Sequence, residues 1–60
     1  MNEFGLKLAF AKGYHAALIG AQYNPPYDDI ECKIAFNSGY RTGKDQVMAS
    51  LYNDEIHEVN

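Results

Sequence analysis

Apolar and polar residues recur along this chain with the period of a helix, and each helical segment carries two separate stripes. In the first segment Phe4, Leu8, Ala11, His15 and Leu18 follow i, i+4, i+7 spacing and share one face, which Phe10, Tyr14 and Ala17 widen. A second stripe runs beside it: Gly5, Ala9, Gly13, Ala16 and Gly20, none with a side chain larger than a methyl. Glycine inside a helix costs up to about 1 kcal/mol relative to alanine. Keeping it there requires a physical reason, and the close approach of another backbone is the usual one. Asn2 stands where an N-cap is needed and Gly20 where a C-cap is, so the pattern predicts a first helix over about residues 3–20.

The periodicity then stops. Residues 21–28 contain Asn24-Pro25-Pro26-Tyr27, a stiff and extended connector. A second helix is expected over about residues 29–42, with Asp28 as N-cap, Glu31 completing a capping box and Asp29 adding favourable charge at the first turn. Cys32, Ala35, Gly39 and Gly43 form its small-residue stripe, flanked by Phe36 and Tyr40. Ile30 and Ile34 lie on a different side together with Arg41, exposed or covered by a partner. Beyond Gly43, Val47, Met48, Leu51 and Tyr52 keep helical spacing and predict either a short third helix over about residues 45–56 or a continuation of the second. Residues 57–60 are expected to be disordered.

The two segments share a hexapeptide. Ala9-Phe10-Ala11-Lys12-Gly13-Tyr14 returns as Ala35-Phe36-Asn37-Ser38-Gly39-Tyr40. Matched small-residue stripes on both sides of a Pro-Pro turn predict an all-α fold: a single domain built as a two-helix hairpin, antiparallel and with a short interaxial distance. Gly13, Gly20, Pro26, Gly39 and Gly43 are its structural residues.

Charge divides the chain. Residues 7–44 carry five cations against three carboxylates, whereas residues 45–60 carry four carboxylates and no Lys or Arg. An acidic tail of this kind is expected to be solvated and frayed. Cys32 is the sole cysteine, which excludes an internal disulfide and fits a reducing, cytoplasmic setting. Met1-Asn2-Glu3 is not the basic start of a signal peptide. Lys7, Lys12 and His15 interrupt the apolar run from Leu6 to Gly20, so no membrane span is expected.

Little in the sequence points to catalysis. His15, Cys32 and His57 have no standard metal-ligand spacing. His15 reads as a half-buried core or interface residue and His57 as a solvated one. Cys32 sits in a packing stripe, and capping accounts for Asp28 and Asp29. A hairpin of this length lacks the volume to enclose a small-molecule substrate. The expectation is a non-enzymatic protein without metal or cofactor. Lys7, Lys12, Lys33, Arg41 and Lys44, interleaved with aromatics that include Tyr27, are the candidates for RNA contact. Two helices cannot bury every large apolar residue present, so a protein-binding face is the second candidate, with Ile30, Ile34, Tyr14 and Tyr40 at its centre. Homo-oligomerisation is the simplest form of such binding.

The run Lys12-Gly13-Tyr14-His15-Ala16-Ala17-Leu18-Ile19-Gly20, then Asn24-Pro25-Pro26-Tyr27, then Phe36-Asn37-Ser38-Gly39-Tyr40 resembles the ribosome modulation factor family. Gly13, Tyr14, Pro26, Tyr27, Gly39 and Tyr40 match the family pattern by position, over roughly residues 9–48. Phe36 and Tyr40 stand where the family has tryptophan, and Met1-Asn2-Glu3-Phe4 replaces its basic arm. The resemblance implies two helices joined by a linker, and a non-enzymatic partner of the small ribosomal subunit that suppresses translation. A relative that kept the scaffold and changed partner, such as a phage protein that inhibits a host complex, is the alternative it leaves open.

Overall fold

The computed structural model describes the backbone of residues 3–59 and the side chains of residues 3–52. The chain is all-α, two packed helices joined by a Pro-Pro connector that turns it back. Helix α1 spans Glu3–Leu18 and helix α2 spans Ile30–Val59. Asn2, the expected N-cap of α1, lies outside the described residues.

Helix α1 ends in a Schellman motif. Gly20 adopts φ 77°. Its N–H donates to the Ala17 carbonyl at 3.2 Å, and the Ala21 N–H donates to the Ala16 carbonyl at 2.9 Å. These bonds satisfy carbonyls that the end of a helix otherwise leaves free.

At the start of α2 the cap is shifted by one residue from the expected position. The Cys32 N–H donates to the Asp29 carboxylate at 3.1 Å, and the Lys33 N–H donates to the Asp29 carbonyl at 3.0 Å. Asp29, not Asp28, is therefore the N-cap, and the third helical residue is Cys32, so Glu31 is not placed to close a capping box. Asp29→Ala is expected to cost about 1 kcal/mol. Asp28→Ala should cost a few tenths at most, and paired urea titrations separate the two.

Helix α2 does not stop at Gly43. It continues unbroken to Val59, so of the two expectations for the segment beyond Gly43 the continuation of the second helix holds, and residues 57–59, expected to be disordered, are helical. Asn60 lies outside the described residues. Gly43 is expected both in the small-residue stripe and just past the end of the second helix, and only the first role holds. In the structure it is a contact residue: a Cβ added there would lie 2.7 Å from the Ala17 Cβ and 2.7 Å from the Tyr14 carbonyl oxygen.

The interface follows the expected small-residue stripes in part: Ala17 and Phe36, expected beside them, are buried in it, whereas Gly5, Ala16 and Ala35 are half-buried and Gly20 is exposed. Ala9, Gly13 and Ala17 on α1 and Cys32, Phe36, Gly39 and Gly43 on α2 are buried. The contacts obey the hexapeptide repeat. A Cβ on Gly13 would collide with the Phe36 carbonyl oxygen and lie 3.0 Å from the Tyr40 nitrogen. A Cβ on Gly39 would collide with the Phe10 carbonyl oxygen and lie 3.0 Å from the Tyr14 nitrogen. Each glycine thus meets the other copy's Phe and Tyr backbone. The hydrogen standing in the place of a methyl points at a carbonyl oxygen, a Cα–H···O contact that recurs at Gly13, Gly39 and Gly43.

These same contacts correct the expected direction of the pair. Gly13 lies level with Gly39, and Ala17 lies level with Gly43. The register rises together on both helices, so α1 and α2 run parallel where packing alone predicted antiparallel. The connector makes this possible. Residues 21–27 form no helix or strand. Returning from the level of Gly43 to Ile30 requires about 20 Å at 1.5 Å per residue. Seven residues of extended chain span about 22 Å.

Three tyrosines hold the returning connector on α2. Tyr40 donates its hydroxyl to the Ala21 carbonyl at 2.7 Å. The Tyr23 ring lies 5.3 Å from Tyr40 and 5.9 Å from Phe36, and Tyr27 lies 6.2 Å from Phe36. The connector therefore meets Tyr40 first and Phe36 last, descending α2 toward its N-terminus.

Candidate binding faces

Burying the small stripe leaves the larger apolar residues outside. Phe4 is 74% exposed, and Leu8, Leu18 and Ile19 are exposed with it. His15 shares that outward face and is exposed, not half-buried as expected. The reason is geometric. A two-helix unit covers one face of each helix, and only the Gly/Ala face lets the backbones touch.

On α2 the outward face is also apolar. Ile30 is 70% exposed and Ile34 60%, and Met48, Leu51 and Tyr52 are exposed further along. This face shares its turns of helix with cations. Lys33, Arg41 and Lys44 are all exposed and fall within about 80° of one another at 100° per residue, Arg41 opposite the α1 contact and Lys33 and Lys44 on the flank of α2 beside Tyr40. Lys7 and Lys12 are exposed on α1, on opposite flanks of its outward apolar stripe. The five cations therefore do not form one patch: three share a face of α2 and two are separate.

The candidate aromatics divide differently. Tyr27 packs against Phe36 and is half-buried, so its ring belongs to the internal cluster. Tyr40 is half-buried, stacks at 6.4 Å on Phe36 and spends its hydroxyl on Ala21. Lys44 Nζ lies 5.3 Å over the Tyr40 ring, a cation–π contact that fixes the lysine at the edge of the cluster. Tyr14 is half-buried with its backbone at the helix contact. Ile30 and Ile34 are the partner-binding candidates with freely presented side chains.

Met48 and Tyr52 also lie on this α2 face; the expectation left open whether their segment continued the second helix and so did not group them with Ile30 and Ile34. Their spacing from Ile34 and Ile30 was the available signal.

Ser38, Arg41, Thr42 and Asp45 line a shallow polar groove on α2. The Cys32 thiol is buried, and burial pushes its pKa up from the ordinary value, with the Asp29 carboxylate acting in the same direction. A thiol held protonated in this way is a packing group and a poor nucleophile. Among the described residues no group of three or more His, Cys, Asp or Glu could hold a metal ion, and no helix is long and apolar enough to cross a membrane.

Compared with known proteins, the chain matches no family model, no curated protein and no solved structure.

Proposed function

We propose that this chain is a non-enzymatic binding protein that docks on the small ribosomal subunit and suppresses translation, as its resemblance to the ribosome modulation factor family implies. The observation that carries the reading is the exposed trio Lys33, Arg41 and Lys44 on one face of α2. Three exposed cations on one helix can contact a phosphate backbone, and they remain free of ion pairs with other described residues. The matched motif residues support the scaffold half of the reading, because Gly13, Gly39, Tyr27 and Tyr40 are the contacts that build the helix pair and seat its connector.

With only three cations on the face, binding would be modest and salt-sensitive. Co-sedimentation with 30S subunits at low salt tests it. The chain should pellet with the subunit, release as salt rises, and lose at least about tenfold in affinity when Lys33, Arg41 and Lys44 are replaced by Gln. A wild-type chain that never co-sediments at low salt removes the ribosome from consideration.

Exposed Ile30 and Ile34 favour a second reading, an inhibitor or adaptor that binds a protein complex through the same helix, for example a phage protein acting on a host machine. A tagged pull-down should then recover one stoichiometric protein without rRNA, and Ile34→Asp should release it.

A further inference from the structure

We infer that the outward face of α2 is a self-complementary surface, and that a second copy of this chain covers it in an antiparallel helix pair centred on Arg41. The order of residues on the face carries the inference. Ile30, Ile34 and Asn37 precede Arg41 by eleven, seven and four positions. Tyr52, Met48 and Asp45 follow it by the same intervals. All are exposed and lie within about 80° of one another on the helix.

Such a stripe reads the same from either end. Laid antiparallel on its own copy, Ile30 meets the other copy's Tyr52, Ile34 meets Met48, and Asn37 meets Asp45. A two-fold interface demands this property, because residue i must accept residue j while j accepts i. A stripe evolved for an unrelated partner has no need to be palindromic.

Charge agrees with the pairing. Arg41 would sit on the two-fold axis beside its own copy, a repulsive contact if left alone. One turn away on each side stands an Asp45 carboxylate from the opposite copy, within reach of a guanidinium. Two intermolecular Arg41–Asp45 pairs then neutralise the centre. Among the described residues neither group is in an ion pair within the chain, although they are four positions apart on one helix.

Length sets the strength. The stripe from Ile30 to Tyr52 spans about 33 Å at 1.5 Å per residue. One helix pair of that length buries less than the roughly 800 Å² per partner of a standard stable interface. The dimer is therefore concentration-dependent, forming in the micromolar range and dissociating below it. It covers Arg41 and Ile34, so it competes with whatever the monomer binds through α2. The inference does not depend on the identity of that partner, because the test contains none.

Sedimentation equilibrium from about 1 to 500 µM tests the association. A reversible monomer–dimer equilibrium is expected. Ile34→Asp and Met48→Asp should each weaken it by at least about tenfold, a loss of about 1.4 kcal/mol. Arg41→Asp should weaken it likewise, and adding Asp45→Arg to the same chain should restore it, because the swap recreates both pairs in reverse. All these positions are exposed, and circular dichroism should show unchanged helicity. Crosslinking fixes the direction. With Cys32 replaced by Ala, chains carrying Ile34→Cys should form disulfides with chains carrying Met48→Cys faster than either forms with itself. A chain that stays monomeric across the range overturns the inference. So does a dimer indifferent to Ile34→Asp and Met48→Asp, or a crosslink that favours 34 with 34.

Discussion

Replacing Gly13 by Ala lowers the melting temperature of this chain, although glycine-to-alanine in a helix interior ordinarily raises it. Intrinsic propensity favours Ala by about 1 kcal/mol. The added methyl, however, has no space. It would collide with the Phe36 carbonyl oxygen and lie 3.0 Å from the Phe36 carbonyl carbon and the Tyr40 nitrogen. These are backbone atoms inside a helix and cannot rotate aside, so α1 and α2 must separate. Overpacking of this kind costs about 1–3 kcal/mol, which in a domain of this size is a fall on the order of 10 °C. Gly39→Ala should behave alike, since its methyl meets the Phe10 carbonyl in the same way.

The double substitution should cost less than the sum, because one separation relieves both clashes. Thermal melts followed at 222 nm measure all three. Gly20→Ala is the useful contrast. Nothing lies within 4 Å of an added Cβ there, and the penalty comes from φ 77° alone. An unchanged or raised melting temperature for Gly13→Ala would show that α1 and α2 separate at no cost and that backbone contact does not hold them together.

How much of this was legible beforehand depends on which force acted. The two helices, the connector between them and the Gly/Ala interface were readable from periodicity, because Gly13 and Gly39 are costly unless a backbone approaches. Direction was not readable. Small-residue stripes pack in either orientation, and the choice here lies with the connector, where Tyr23 and Tyr27 grip α2 through Phe36 and Tyr40. Nothing local in Tyr23-Asn24-Pro25-Pro26-Tyr27 distinguishes a tight reversal from a long return. Gly43 is legible as a contact point from its stripe, but a glycine at the end of a patterned segment also looks like a helix stop, which it is not.

The binding faces were legible in part. Ile30, Ile34 and Arg41 could be placed together on one side of α2 from spacing alone. His15 could not be placed correctly, because a stripe of Phe4, Leu8 and Leu18 looks like a core face until it is known that the smaller stripe has won the interface. Tyr27 could not be assigned to the interior from its neighbours in sequence, since the ring it packs on, Phe36, comes from the next helix.

Phe36→Ala should unfold most of the population at 25 °C, while Phe10→Ala at the matching position of the repeat should leave the chain folded. The repeat makes the two backbones equivalent, but the connector visits only one of them. Phe36 is 4% exposed, enclosed by Tyr23, Tyr27 and Tyr40. Phe10 is 39% exposed. Truncating a buried phenylalanine costs about 3–5 kcal/mol. A core this small rarely supplies more than about 3–5 kcal/mol in total, so the loss consumes the whole margin. Phe10 forfeits only part of its contact, on the order of 1 kcal/mol.

Guanidinium titrations of the two variants, with near-ultraviolet dichroism to follow the tyrosines, should give no native baseline for Phe36→Ala and a modestly shifted midpoint for Phe10→Ala. Equal losses would mean that the connector contributes nothing and that the symmetric helix contact alone holds the fold. Tyr40→Phe separates the ring from the hydroxyl within the same cluster. It keeps the stack on Phe36 and removes only the bond to the Ala21 carbonyl, so its cost should be near 1 kcal/mol. The ranking Phe36 above Tyr40 and Phe10 follows from one asymmetry: a repeated sequence covered on one side by a connector that must return along the N-terminal half of α2 to bring the helices into parallel register.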